Sequence, residues 1–375
     1  MVGVPVATVD ADYVTALRDI GTAAGLVAVA VAPAEPFTDT RTHLETRRRA
    51  GLHAGMQFTY RNPARSTDPT RALPGARAIV VGALPYGTDE HAEAVGPPPR
   101  ARVARYARSD HYARLRDALG LIAAHLTGDG WRVRVLADDN ALVDREAAYR
   151  AGLGWYGKNT NVLLPGQGSW FVLGSVLTDA PLPPNPRPVA DGCGSCRRCL
   201  DGCPTGAIVA PGMLDARRCL AWLVQAEGPF PREYRVALGD RLYGCDDCQE
   251  VCPPNRVALR RRADGPAADP WVDVLGLLAA SDAELMDRFG RWYIPNREPR
   301  YLRRNALVVL GNVGDGHAPE VAGALSAALN DPDPLVRGHA VWAARRLGRD
   351  DLLPPVADDP DPGVRAELAA PVPIG

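Results

Sequence analysis

The sequence predicts an α/β domain, then a cysteine-rich module, then a short array of helical repeats, and three observations predict it. Apolar strands alternate with amphipathic helices over the first 180 residues. All eight cysteines fall between 193 and 252. Beyond about 290, an Asp/Pro turn, an arginine and an alanine-rich helix recur. The expected division is therefore 1–180, 181–290 and 291–375. A chain of 375 residues is too long for one ordinary core, and its 46% hydrophobic content is enough to fill several.

The first segment carries the alternation. Residues 11–32 predict a helix and then an apolar strand over 26–32. Residues 40–50 predict a basic, exposed helix. ARAIVVGALPY (76–86) reads as a buried strand from its run length and branched residues. A helix is expected over 111–129, ending at Gly128 and Gly130, and a strand over WRVRVLAD (131–138). Residues 141–151 predict a helix that ends in the glycines of AGLGWYGKN, and SWFVLGSVLT (169–178) a further strand. The proline-rich APLPPNPRP (180–188) reads as a linker.

At the other end, RYLRRNALVVLGNVGD (300–315), DPDPLVRGHAVWAARRLG (331–348) and DPDPGVRAELA (359–369) resemble one another, the last two at a spacing of 28 residues. They read as short HEAT-type repeats, against the plainer alternative of an ordinary helical tail.

Charge excludes little. The balance of 43 basic and 44 acidic residues gives −1, so any nucleic-acid binding must use local patches. Such patches exist at Arg100, Arg102, Arg105 and Arg108, at Arg260 to Arg262, and at Arg297, Arg300, Arg303 and Arg304. The plainer reading makes them solvated faces paired with acids. No apolar run approaches the roughly 20 residues that span a bilayer. MVGVPVATVDADYV reads neither as a secretory nor as a twin-arginine signal. A cytoplasmic protein is expected, and there cysteines point to metal rather than disulfides.

The cysteine spacing is specific. Cys193, Cys196, Cys199 and Cys203 step by three, three and four and end on Pro204. Cys219 stands apart, and Cys245, Cys248 and Cys252 end on Pro253. Zinc knuckles pair two CxxC turns instead. The spacing is that of bacterial two-cluster ferredoxins, in which the fourth cysteine of each run ligates the other cluster. One 4Fe–4S cluster is expected on Cys193, Cys196, Cys199 and Cys252, and the second on Cys203, Cys219, Cys245 and Cys248.

AGLGWYGKN (151–159), GSWFVLG (168–174), the first cysteine run and YGCDDCQEVCP (243–253) together resemble the epoxyqueuosine reductases, and NPARSTDPTRALPGARAIVV (62–81) is a weaker match. The resemblance covers nearly the whole chain, with its parts in the same order. It implies an oxidoreductase whose α/β domain binds a corrin in the reductive-dehalogenase-like manner. Such enzymes reduce epoxyqueuosine to queuosine at the wobble position of tRNA. Electrons pass from an external donor such as a ferredoxin or flavodoxin, through two 4Fe–4S clusters, to cobalamin. The implied partner is the tRNA anticodon stem–loop; no membrane is implied, and a monomer is expected.

The family's proton donor stands thirteen residues before the alanine of AGLGW, which places it at Asp138. An aspartate titrates near about 3.9 and needs burial or a negative neighbour to hold a proton at pH 7. Asp138 could instead merely end a strand, and Asp139 and Asp144 are rivals by type. Lys158 and Asn159 are candidates for the corrin's amide or phosphate groups, unless AGLGWYGKN is simply a tight turn. Arg65, Ser169 and Trp170 are further cofactor candidates, with surface charge or core packing as the alternatives. Two phrases depart from the family: Asp110-His111-Tyr112 replaces Asp-Tyr-His, and Val224-Gln225-Ala226-Glu227 replaces a Thr-Ile-Glu phrase. A corrinoid reductase of a small molecule and a plain electron-transfer module are the alternative readings.

Overall fold

The protein is described by a computed structural model that covers residues 9–87, 99–185, 189–261 and 269–371. Arg262 and residues 186–188 of the expected linker lie outside them. The backbone divides into two units. One comprises Met1–Glu90, Ser109–Arg217 and Asp247–Ala267, the other His91–Arg108, Arg218–Asp246 and Ala268–Gly375.

In the first unit, β1 (Ala28–Pro33), β2 (Ala78–Pro85), β3 (Val133–Ala137) and β4 (Phe171–Thr178) form one sheet in the order β1-β2-β4-β3. β2 and β4 are buried along nearly their whole length because helices cover both sheet faces. On one face Val80, Val172 and Val176 pack with Leu115, Leu119 and Ile122 of α3 (His111–Gly128) and with Leu17 of α1 (Ala11–Ala23). On the other, Ile79, Val81 and Leu177 pack with Ala147 and Ala148 of α4 (Asp144–Arg150). The small residues of α4 let its backbone approach the sheet. Between β1 and β2 lies α2 (Thr38–Arg49), the expected basic helix, which buries only Leu44.

Every strand pair in this sheet is antiparallel. Alternation of helices and strands does not encode strand direction. The rule that gathers ligands at the carboxyl edge of a parallel sheet therefore does not transfer to Asp138, although that residue directly follows β3.

In the second unit, strand Arg100–Val103 pairs in parallel with Arg241–Tyr243 and antiparallel with Trp271–Asp273. These non-local pairings draw residues around 100 away from the segment 1–180. Beyond residue 299 lie α5 (Arg300–Val313), α6 (Pro319–Leu329), α7 (Pro334–Arg346) and α8 (Pro362–Ala369). Their core includes Leu307, Leu325, Ala340 and Val364.

The repeat phrase has a structural meaning. Asp333 and Asp361 cap α7 and α8 by accepting backbone N–H bonds, each followed by proline at the first helical position. Arg337 donates back to the carbonyls of Asp331 and Pro332, and Arg365, 28 residues on, to those of Asp359 and Pro360. The recurring arginine thus staples the turn that starts its own helix.

Candidate functional site

Two features stand in the first unit, a carboxyl recess and the part of the cysteine framework that carries Cys193, Cys196, Cys199, Cys203, Cys248 and Cys252. The recess starts where β3 ends. Asp138 adopts a left-handed backbone, φ 56°, uncommon for a side chain with a Cβ and frequent at functional positions. Its side chain reaches solvent, yet surrounding protein desolvates it, as happens inside a concavity. That desolvation raises its pKa above the ordinary value; Arg116 opposes the shift, and Asp139 and Asp110 add to it. Asp144, at the start of α4, is raised well above the ordinary value by burial first and by Asp138 second. Asp138 and Asp144 therefore share one local field, with the phenol of Tyr112 held protonated by burial and both carboxylates.

The departure at 110–112 lies at this recess. Asp110 caps α3 by accepting from the Ala113 N–H at 2.8 Å, His111 is buried against the Tyr86 ring, and Tyr112 faces the carboxyl pair. Arg145 acts electrostatically on Asp144, Tyr112 and Tyr156 alike. Arg145 and Tyr156 escaped the sequence reading, because nothing in their spacing marks a recess formed by folding.

The cysteine framework is held by the phrases expected to hold a cofactor. Lys158 Nζ donates to the carbonyls of Gly194 (2.6 Å) and Cys196 (2.9 Å). Asn159, 4% exposed, donates to the Cys248 carbonyl at 3.4 Å. The glycines of AGLGWYG serve a tight hairpin, Trp155–Tyr156 paired with Val162–Leu163; a Cβ on Gly154 would come within 2.1 Å of the Leu163 carbonyl oxygen. Ser169 lies in a buried amide network: its N–H donates to Asn255 Oδ1 at 2.6 Å, and Gln249 donates to its carbonyl at 3.1 Å. Trp170 is fully enclosed and packs on Ala258 and Leu259, in the helix Pro253–Arg260 that follows Cys252. Lys158, Asn159, Ser169 and Trp170 thus support the segments carrying Cys196, Cys248 and Cys252. Arg65 is exposed, with no side-chain hydrogen bond among the described residues.

No cysteine is in a disulfide. Burial first, and then Cys193, Cys199 and Cys196, raise the Cys252 thiol to about 11, against the Asn255 N–H, which lowers it. Cys199 is raised too, by burial and then by Cys193 and Cys196. These four thiols are near enough to feel one another's charge. Among the described residues, however, no three His, Cys, Asp or Glu side chains converge on a single-ion position. Cys203 Sγ accepts the Ala207 N–H at 3.2 Å, the kind of contact that favours a thiolate.

In the second unit, Cys245 follows Gly244, whose φ is +75° and where a Cβ would lie 2.5 Å from Ala104 Cβ. Asp246 accepts the Arg105 N–H at 2.8 Å. Of the basic patches, Arg105 is 6% exposed and Arg304 fully buried, so neither belongs to an RNA-binding surface. Arg303 donates to Asp282 and the Ala280 carbonyl, Arg300 pairs with Asp333 and Glu298, and Arg102 with Asp240. Arg297 and Arg108 donate to backbone carbonyls. Arg260 and Arg261 are exposed.

A model of a 4Fe–4S double cluster binding domain matches residues 192–255, a stretch that holds all eight cysteines. A HEAT-repeat model matches 293–370. The epoxyqueuosine reductase of Bacillus cereus is 33% identical over 341 residues, covering 88% of this chain and 87% of that protein. The chain belongs to the epoxyqueuosine reductase family. The Pseudomonas aeruginosa member is 35% identical over 347 residues, covering 88% and 94%. A crystal structure of epoxyqueuosine reductase with an epoxyqueuosine-modified tRNA-Tyr stem loop superposes with a TM-score of 0.85 at 30% identity, over 94% of this chain and 96% of that one. The Streptococcus thermophilus member gives 0.84 at 27% identity, over the same shares. The two-unit architecture, with its terminal repeats, is thus the family's fold. Among the described residues no helix is long and apolar enough to cross a membrane.

Proposed function

We propose that the protein reduces epoxyqueuosine to queuosine at the wobble position of tRNA, with Asp138 as proton donor. The observation that carries this reading is the Asp138 carboxyl, left-handed in backbone, desolvated by the surrounding protein and raised in proton affinity, in a member of this family. Opening the epoxide to an alkene consumes two electrons and two protons and releases the oxygen as water. Asp138 holds a proton where that oxygen leaves, and desolvation first, then Asp139 and Asp110, keep the carboxyl from ionising early against the pull of Arg116.

Cobalamin, when bound, supplies the reducing chemistry at the epoxide. The residues fit such a group in one respect: Asp138 and Tyr156 are partly open to solvent yet surrounded by protein, as the walls of a recess are. Arg65 and the recess residues are assigned to binding it. The free thiols Cys193, Cys196, Cys199 and Cys252 suit one 4Fe–4S cluster, and sequence spacing assigns Cys203, Cys219, Cys245 and Cys248 to the second. Lys158 and Asn159 position the ligand loops. A ferredoxin or flavodoxin is the assigned electron donor, and the cytoplasm, where tRNA resides, the assigned compartment.

The test is anaerobic reconstitution with iron, sulfide and cobalamin, a chemical reductant, and an anticodon stem–loop carrying epoxyqueuosine, read by mass spectrometry. Cobalamin-dependent loss of one oxygen from the nucleoside supports the reading. Cobalamin binding and reduction without any change in the RNA overturns the substrate and leaves a corrinoid reductase of another molecule.

A further inference from the structure

Arg304 is a cation with no exposed surface, and no carboxylate pairs with it among the described residues. Burying a lone guanidinium is costly unless its donors are satisfied. Here they are satisfied by one loop. Nη1 donates to the carbonyls of Ala226 and Gly228, both at 2.6 Å, and Nη2 to those of Leu223 (3.1 Å) and Val224 (3.2 Å). The neighbouring Asn305 accepts from Arg304 Nε at 3.1 Å and Nη2 at 2.9 Å, then donates to Val224 (2.9 Å) and Leu242 (3.2 Å).

The carbonyls belong to two segments. Leu223 and Val224 end the short helix that Cys219 starts, and Leu242 lies three residues before Cys245. Cys219 and Cys245 are distant in sequence, and one pair of side chains on the first repeat helix ties their segments together. The ties are rigid: Arg304 is a planar fork braced by the Asn305 amide, and every bond from the pair to the two segments goes to backbone rather than to a movable side chain.

We propose that Arg304 and Asn305 are positioning residues for the second iron–sulfur cluster, holding the Cys219 and Cys245 segments at the separation its ligands require. This rests on the reading of Cys219 and Cys245 as ligands of one cluster. It gives the first HEAT helix a role in electron transfer, and it explains why Val224 to Glu227 differ from the family phrase without loss of the loop: the clamp grips main-chain carbonyls, which any sequence supplies.

The experiment compares the full-length wild type with Arg304→Lys, Arg304→Met, Asn305→Ala and the control Arg337→Lys after anaerobic reconstitution. It measures iron per chain, the EPR spectrum of the reduced protein, its redox titration, and thermal melting. Wild type should hold about eight irons, two cubanes' worth. Arg304→Lys and Asn305→Ala should fold, yet lose at least half of one cluster's EPR signal or shift that cluster's potential while the other stays unchanged. Arg304→Met should approach about four irons per chain. Arg337→Lys, which weakens a repeat turn through bonds to Asp331, Pro332 and Asp359 alone among the described residues, should lower the melting temperature without moving either signal. Full iron and unchanged potentials in folded Arg304→Lys and Asn305→Ala would overturn the clamp. Should Arg304→Met not fold, these two still decide. A wild type that takes up only one cluster overturns the ligand assignment instead, and with it the basis of the clamp.

Discussion

The ammonium of Lys158 donates to the carbonyl of Cys196 at 2.9 Å, and so ties the hairpin after α4 to the loop of the first cysteine run. The second bond of Lys158, to Gly194, straddles the same turn. Two hydrogen bonds from a charged donor, partly open to solvent, contribute about 1–3 kcal/mol to keeping that loop closed. Lys158→Met should therefore lose the first cluster faster to a chelator, by roughly tenfold on that energy scale, while cobalamin affinity is unchanged. If cobalamin affinity falls and cluster loss keeps its rate, Lys158 binds the cofactor and the loop is held by other means.

The carboxyl pair gives a pH prediction with a definite sign. Asp138 donates only when protonated, and its pKa is raised, so turnover should be flat at low pH and fall as pH rises through that pKa. Asp138→Asn should cut turnover by about 10²–10⁴-fold with both clusters present. Asp139→Asn removes a like charge that raises the Asp138 pKa, so the falling limb should move toward lower pH. A pH–rate profile of the three proteins decides: a limb that stays in place in Asp139→Asn would remove the Asp139 charge from what sets the Asp138 pKa.

The elements around this site were legible because periodicity and run length report burial. β2 and β4 follow from their branched apolar runs, and the cysteine spacing matches the double-cluster domain. The side-chain tasks were less legible. Lys158, Asn159, Ser169 and Trp170 stand in phrases shared with the family, but a shared phrase marks constraint without naming what constrains it. In the structure their neighbours are Cys196, Cys248, Asn255 and Leu259, all far along the chain. Arg304 illustrates the opposite case. In sequence it is one of four arginines in a basic stretch, and only the fold turns it inward onto the Leu223–Gly228 loop.

The Asn255 network predicts a stability defect rather than a catalytic one. Asn255 is fully buried; its Oδ1 accepts from Ser169, and its Nδ2 donates to the Gln249 carbonyl at 2.9 Å. Asn255→Ala strands both partners without water, at about 1–3 kcal/mol for each unsatisfied group. The melting temperature should fall by about 2–4 °C per kcal/mol for a unit of this size. Gly168→Ala should be at least as damaging, because φ there is +64° and the added Cβ would sit 2.2 Å from Asn255 Oδ1. Melting curves that match wild type in both variants would remove the network from the fold's support.

The two terminal arginine staples differ in a way that pH can separate. Arg337 and Arg365 make the same carbonyl contacts, but Arg337 also forms a two-pronged pair with Asp359, at 2.7 and 3.0 Å. That pair lowers the Asp359 pKa, chiefly through the hydrogen bond. A depressed carboxyl pKa contributes stability that is present above the ordinary carboxyl range and is lost as pH falls through the folded value. Near neutral pH, Arg337→Met should therefore destabilise the repeats by about 1–3 kcal/mol, and the gap to wild type should narrow on acidification to what the carbonyl bonds contribute. Arg365→Met, which loses the carbonyl contacts and only a small charge effect on Asp359, should show a smaller gap that varies less with pH. Denaturant midpoints at neutral and acid pH, with Asp359→Asn completing the double-mutant cycle, measure this directly. An Arg337→Met gap that persists unchanged in acid would mean that the carbonyl staple, and not the ion pair, holds the turn.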